Sequence, residues 1–316
     1  MAEFISNSFS RRNFIKGIAG GLVTTTLIPS NASAENNRDF LTILHTNDVH
    51  SHIDSFPLNH PKYPGMGGVE ARAKLIAQER LIDPDLLLLD AGDMFQGTPY
   101  YNYFGGEPEL KIMTYMGYDA GTLGNHEFDS GTSGLARVLP FAGFPILNAN
   151  YGFEGSELEN RILPYKILRK KGYKIGVFGL GINLKGLVDK RLSGKVVYHD
   201  PITISQSTAE MLRRNKKCDL VICLSHLGFK YPDNQVSDLV LATKSADIDV
   251  IIGGHTHTFL DEPVFEKGLN GKKILISQAG WAGVRLGKIT VNFNRESQEK
   301  KNFSSTVIEI KKTSDI

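Results

Sequence analysis

Apolar residues along this chain fall into short blocks whose spacing switches between two patterns. Leu86-Leu87-Leu88-Leu89 is a continuous apolar run, as expected of a strand covered on both faces. Shorter apolar blocks at residues 41–44, 145–147, 174–178, 220–224 and 250–252 predict further strands. Between them, residues 69–81, 109–116, 133–139 and 202–214 carry helical periodicity. Towards the end the rhythm changes, and residues 273–277, 288–294 and 306–310 read as strands with no helix between them. An α/β order followed by a β meander predicts two packed mixed β-sheets flanked by helices. There is no internal repeat, low-complexity tract or Pro/Gly/Ser-rich linker, so residues 35–316 are expected to form one domain.

Residues 1–34 read as a targeting segment. Ser10-Arg11-Arg12-Asn13-Phe14-Ile15-Lys16 places paired arginines before a modestly apolar run, and Ala32-Ser33-Ala34 offers a small-residue cleavage site. The segment resembles a bacterial twin-arginine export signal, which implies a periplasmic or extracellular product. Its apolar run is too short for a transmembrane span and holds three threonines.

The 316 residues are 41% hydrophobic and 22% charged, ordinary values for a globular protein. The formal charge of +2 resides in the leader, where Arg11, Arg12 and Lys16 outweigh Glu3. The remainder is neutral, which argues against a nucleic-acid polymer or a membrane surface as partner. Cys218 and Cys223 lie five apart around an expected strand, so they are read as two free, buried thiols on opposite faces.

Five clusters carry the chemistry, and most follow an expected strand: Asp48-Val49-His50-Ser51-His52, Gly92-Asp93-Met94-Phe95-Gln96-Gly97, Gly124-Asn125-His126-Glu127-Phe128-Asp129, Ser225-His226-Leu227-Gly228 and Gly253-Gly254-His255-Thr256-His257. In open α/β sheets, ligands gather beyond the carboxyl ends of strands. Six of the nine histidines fall inside four of these clusters, a concentration random placement would rarely give. Carboxylate, carboxamide oxygen and imidazole together suit borderline divalent metals such as Mn, Zn, Fe or Co. A shared carboxylate can bridge two ions about 3.5–4 Å apart, which clamp a phosphoryl oxygen and make hydroxide available near neutral pH. Each cluster alone is a weak signal; the ordered set of five is a strong one.

The set resembles the metallophosphoesterase (calcineurin-like phosphoesterase) superfamily, and within it the N-terminal catalytic domain of bacterial 5′-nucleotidases. Ile43-Leu44-His45-Thr46-Asn47-Asp48, Gly117-Tyr118-Asp119-Ala120 and Gln278-Ala279-Gly280 extend the likeness, which runs from about residue 40 to 294. The resemblance implies a four-layer α/β sandwich and two divalent metal ions. It would place Asp48, His50, Asp93 and His257 on one ion, with Asp93 bridging to a second ion held also by Asn125, His226 and His255. His126 would stabilise charge on the transferring phosphoryl group, oriented by Asp129, and Asn125 and His126 would contact substrate. A helix N-cap is a competing role for Asp129.

His52 is read as lying behind the ligands rather than among them, and His45 as a structural residue behind the first strand. His60 and His199 are expected in solvent. Gln278 could reach the substrate rim or serve the turn before Trp281. Gly179-Leu180-Gly181 lacks the third glycine of a dinucleotide fingerprint and is set aside. Full-length relatives carry a C-terminal domain that supplies nucleoside and phosphate contacts. This chain stops about twenty residues past the last family-like strand, so a separate polypeptide resembling that domain is a candidate partner. The expected activity is hydrolysis of small phosphate monoesters, nucleotides among them. The alternatives are a phosphodiesterase or cyclic-nucleotide hydrolase, and a non-catalytic metal-stabilised subunit.

Overall fold

In this computed structural model the described residues are 40–233, 235–294 and 301–311, and the leader expected over residues 1–34 lies outside them. Along the chain the elements are β1 (Phe40–Thr46), α1 (Val69–Ile82), β2 (Leu87–Asp90), α2 (Pro99–Phe104), α3 (Glu107–Met116), β3 (Ala120–Thr122), α4 (Gly131–Val138), β4 (Ile146–Leu147), β5 (Tyr151–Gly152), β6 (Tyr165–Lys170) and β7 (Tyr173–Gly181). They continue with α5 (Lys190–Ser193), β8 (Val197–Tyr198), α6 (Pro201–Glu210), β9 (Leu220–His226), α7 (Asp238–Thr243), β10 (Val250–Gly253), β11 (Val264–Lys267), β12 (Lys273–Ser277), β13 (Arg285–Phe293) and β14 (Lys301–Glu309).

Two six-stranded mixed sheets result, ordered β14-β13-β1-β2-β3-β4 and β11-β12-β10-β9-β7-β6. Strands β1 to β4 of the first sheet and β7, β9, β10 and β12 of the second run parallel, β13 lies antiparallel to β1, and antiparallel strands close three of the four edges. Side-chain alternation explains the layering. Leu41 and Ile43 on β1 and Leu87 and Leu89 on β2 meet Ile175, Val177, Leu220, Ile222, Val250 and Leu275 between the sheets. Leu44 and Leu88 point the other way, onto Ile76 of α1 and Leu110 and Met113 of α3. On the second sheet Val221, Cys223 and Ile251 face outward onto Ala209 of α6 and Leu241 and Ala242 of α7. Leu86 to Leu89 are all at most 2% exposed, so the continuous apolar run does mark a strand covered on both faces. Each such leucine contributes about 1.5–3 kcal/mol of burial. The architecture is the four-layer α/β sandwich expected from the sequence.

Several local readings change. The helical stretch expected over residues 202–214 is α6, N-capped by the Asp200 carboxylate, followed by a π-helical turn over Met211–Asn215. Cys218 and Cys223 are free and buried, yet both pack in the same outer layer. Cys218 sits in the turn before β9 rather than within it, so strand alternation does not relate the two. Among the described residues no helix is long and apolar enough to cross a membrane.

Candidate metal centre

The register of the parallel strands aligns their carboxyl ends. Thr46 of β1 pairs with Asp90 of β2, and Gly181, His226 and Gly253 are in register, directly or through Ser225, on the other sheet. The segments that follow must turn sharply, and they do so with unusual backbone. Five of the seven candidate ligands, Asp48, His50, Asp93, His255 and His257, have φ between 49° and 74°. Left-handed backbone in non-glycine residues costs of order 1–3 kcal/mol each and persists only where surroundings enforce it. Here the N–H groups of Asp48, His50 and Ser51 donate to the carbonyls of Gly92, Asp93 and Met94, tying the first two clusters together. Gly124 is required by close approach, because a Cβ there would overlap Asp93 Oδ1 and His226 Nε2.

Asp48, His50 and His257 bring one ligand atom each within 4.8 Å of one another, as do Asp93, His226 and His255. A third such group, His50, Asp93 and His126, joins them. His226 Nε2 lies 3.0 Å from Asp93 Oδ2 and 3.9 Å from Asp48 Oδ1. His50 Nε2 lies 3.8 Å from Asp93 Oδ2, and His257 Nε2 lies 3.5 Å from Asp48 Oδ1. The Nε2 atoms of His50 and His257 face each other at 3.0 Å.

The donor set fits divalent cations. Asn125 Oδ1 is buried with no hydrogen-bond partner, an acceptor aimed at something other than protein. His226 Nδ1 lies 2.7 Å from the Ala91 carbonyl and His50 Nδ1 lies 3.2 Å from the Phe95 carbonyl. An N–H placed there leaves each Nε2 lone pair free for a metal. Asp48 is fixed by the Asn47 amide and by the His255 N–H, which reaches both of its oxygens at 3.0 Å. Burial, with Asp93 nearby, pushes Asp48 up to about 8. Burial also acts on Asp93, but His226, His50 and His126 outweigh it and hold that carboxyl below the usual range. Burial disfavours a proton on His226 as well, yet Asp93 and Asp48 draw it up to about 10. Without an ion, the site balances its two buried carboxylates with protons on Asp48 and His226, places that a cation can take over.

His126 stands beside this group, with its ring 5.2 Å from that of His50. Its Nδ1 is 2.8 Å from Asp129 Oδ2, and its backbone N–H donates to Asp93 Oδ1. The hydrogen bond to Asp129 raises the His126 pKa. The helix that follows, α4, is capped at Ser130 with no side-chain hydrogen bond, so Asp129 is not its N-cap.

Residues outside the ligand set resolve as follows. His52 donates its Nδ1–H to the Val49 and His50 carbonyls, and its ring meets Trp281 edge-on. His45 is fully buried between the sheets. His60 is half-buried with its ring stacked on Tyr63, contrary to the expected solvent position, while His199 is exposed. Gln278 is fully buried: its amide donates to the Gly254 carbonyl and its oxygen accepts the Thr258 N–H. That removes it from the substrate rim and makes it a brace for the fifth cluster. Glu127, quoted in the third cluster without a role, is a second brace. Its buried carboxylate accepts the N–H groups of Asp93, Met94, Phe95 and Gly124 at 2.6–3.2 Å.

Comparison with known proteins agrees with this geometry. The family model for calcineurin-like phosphoesterases matches residues 41–259. The chain is 34% identical over 288 residues to snake venom 5′-nucleotidase of Gloydius brevicauda, covering 85% of this chain and 48% of that protein. It is 34% identical over 275 residues to the 5′-nucleotidase of Homo sapiens, covering 80% and 46%. The crystal structure of a 5′-nucleotidase precursor from Thermus thermophilus superposes with a TM-score of 0.76 at 30% identity, covering 86% of this chain and 55% of that one. The chain thus spans about half the length of the curated relatives it matches.

Proposed function

The chain belongs to the calcineurin-like phosphoesterase family, and from that premise we propose that it is an exported, two-metal phosphohydrolase acting on monoesters of nucleotides or related small molecules. The observation that carries the reading is the convergence of three ligand groups linked in a chain, the group of His50, Asp93 and His126 joining one neighbour through His50 and the other through Asp93. Asp48, His50, Asp93 and His257 would hold one ion, and Asp93, Asn125, His226 and His255 the other. When bound, the pair supplies Lewis acidity toward a phosphoryl oxygen and lowers the pKa of water.

The protein's own groups do the rest. Asp129 fixes the tautomer of His126 and favours its protonated form, which leaves Nε2 as the donor to a phosphoryl oxygen as negative charge grows there. Asn125, next in the chain, would contact both an ion and the phosphate. Glu127 and Gln278 hold the loops without touching substrate. The nucleotide preference rests on the names of the relatives, and the export reading on Arg11, Arg12 and the residues around Ala34.

Purified protein loaded with Mn or Zn should release phosphate from nucleoside monophosphates and aryl phosphates, and chelator should abolish the release. Equal rates with and without metal would sink the proposal. Hydrolysis confined to cyclic nucleotides or diesters would move the activity to the alternative class.

A further inference from the structure

The loop that presents His50 is held from behind by a carboxylate on another element. Ser51, with φ 57°, follows His50 at 50°, and Asp48 stands at 49°, so most of this turn is left-handed without a glycine. The Ser51 hydroxyl donates to Glu109 Oε1 on α3, and the Thr98 hydroxyl donates to the Ser51 carbonyl at 2.8 Å. Glu109 is 6% exposed and its other oxygen, Oε2, has no hydrogen-bond partner. Arg72 on α1 is 3% exposed and its Nε likewise has none. Both side chains line a cavity of about 20 Å³ that Ser51, His52 and Tyr118 also border. A buried polar atom left without a partner costs about 1–3 kcal/mol, more where the group is charged.

We infer that Glu109 is a positioning residue: buried on α3, it grips the Ser51 hydroxyl and so keeps His50 in the left-handed conformation that points its ring at the metal centre. This rests on the metal-centre reading above. It assigns Glu109 no contact with substrate or metal. The residue acts through Ser51, and the two should behave as one unit.

The test measures Mn or Zn affinity by competition with a chromophoric chelator, alongside thermal stability of the metal-free protein. Ser51→Ala and Glu109→Leu should each weaken metal affinity by roughly 10–100-fold, the usual worth of a group that orients a ligand. The double variant should lose no more than the worse single. Glu109→Gln keeps an oxygen for Ser51 and should recover most of the affinity. Affinities within twofold of the parent, or losses that multiply in the double variant, would overturn the inference. Should Glu109→Leu fail to fold, Ser51→Ala and Glu109→Gln decide the matter. A parent protein that binds no metal would instead overturn the metal-centre reading, which the parent titration reports separately.

Discussion

His45 Nε2 on β1 and Ser277 Oγ on β12 lie 3.0 Å apart, a hydrogen bond that crosses from one sheet to the other. His45 follows Leu41 and Ile43 on the inner face of its strand, and its ring fills the space left by Gly287 on β13, where a Cβ would overlap it. Burial holds its pKa down to about 3, against about 6.5 in an unfolded chain. Between those values the unfolded state carries the proton and the folded state does not. The contribution is therefore whole above pH 6.5 and is lost progressively as pH falls towards 3. His45→Gln, neutral throughout, should move the acid-unfolding midpoint of the metal-free protein to lower pH relative to the parent. Coincident acid-unfolding curves, followed by circular dichroism, would show that His45 is not the group responsible.

His126 and Asp129 form the second testable pair. His126→Ala should lower turnover by roughly 10²–10⁴ while metal content stays near two ions. Asp129→Asn should have a smaller effect on turnover and a characteristic effect on pH dependence. Because the hydrogen bond to Asp129 raises the His126 pKa, its loss should move the alkaline limb of kcat/KM to lower pH. An unmoved limb would separate Asp129 from the protonation of His126.

Glu127 should matter for assembly of the site. Its carboxylate collects four backbone N–H groups from two clusters, and burial pushes its pKa up to about 7. Glu127→Ala leaves those donors without an acceptor, at a cost of about 3–5 kcal/mol, and should lose metal along with stability. A variant destabilised by less than about 1 kcal/mol in urea unfolding would contradict that role.

What the sequence disclosed follows from how each residue does its work. Asp93, His226 and His255 were legible because ligand chemistry demands particular side chains, and strand ends gather them. Leu86–Leu89 was legible because burial on both faces leaves no polar position. Glu127 and Glu109 were not assigned roles, and for Gln278 a structural role stood open beside the substrate rim, since an acceptor for backbone or hydroxyl groups has no spacing signature. The edge strand β6 holds only Ile167-Leu168 between charged residues, and β3 is only Ala120-Gly121-Thr122, so neither offers a long apolar block. The left-handed φ of Asp48 and His50 was equally hidden, because non-glycine residues seldom announce it.

Export should depend on the arginine pair. Replacing Arg11 and Arg12 by lysine keeps the charge and removes the pair, and should trap uncleaved precursor in the cytoplasm. Fractionation of expressing cells, with the N-terminus of the product sequenced, would show cleavage near Ala34 for the parent. Normal export of the double-lysine variant would rule out the twin-arginine route and leave the metal centre untouched.

Substrate choice is the remaining question, and kinetics can answer it. In the proposed site the metal ligands and His126 would grip a phosphoryl group and would leave the departing alcohol without a contact. Discrimination between leaving groups requires shaped polar contacts to them. Relatives of about twice the matched length are named 5′-nucleotidases, so such contacts are expected from outside the matched half. Acting alone, this chain should therefore cleave an aryl phosphate and a nucleoside monophosphate with similar kcat/KM. A separate polypeptide resembling the 5′-nucleotidase C-terminal domain, added in excess, should raise kcat/KM for the nucleotide and leave the aryl phosphate nearly unchanged. A large nucleotide preference by the isolated chain would place recognition on its own surface and remove the reason for a partner.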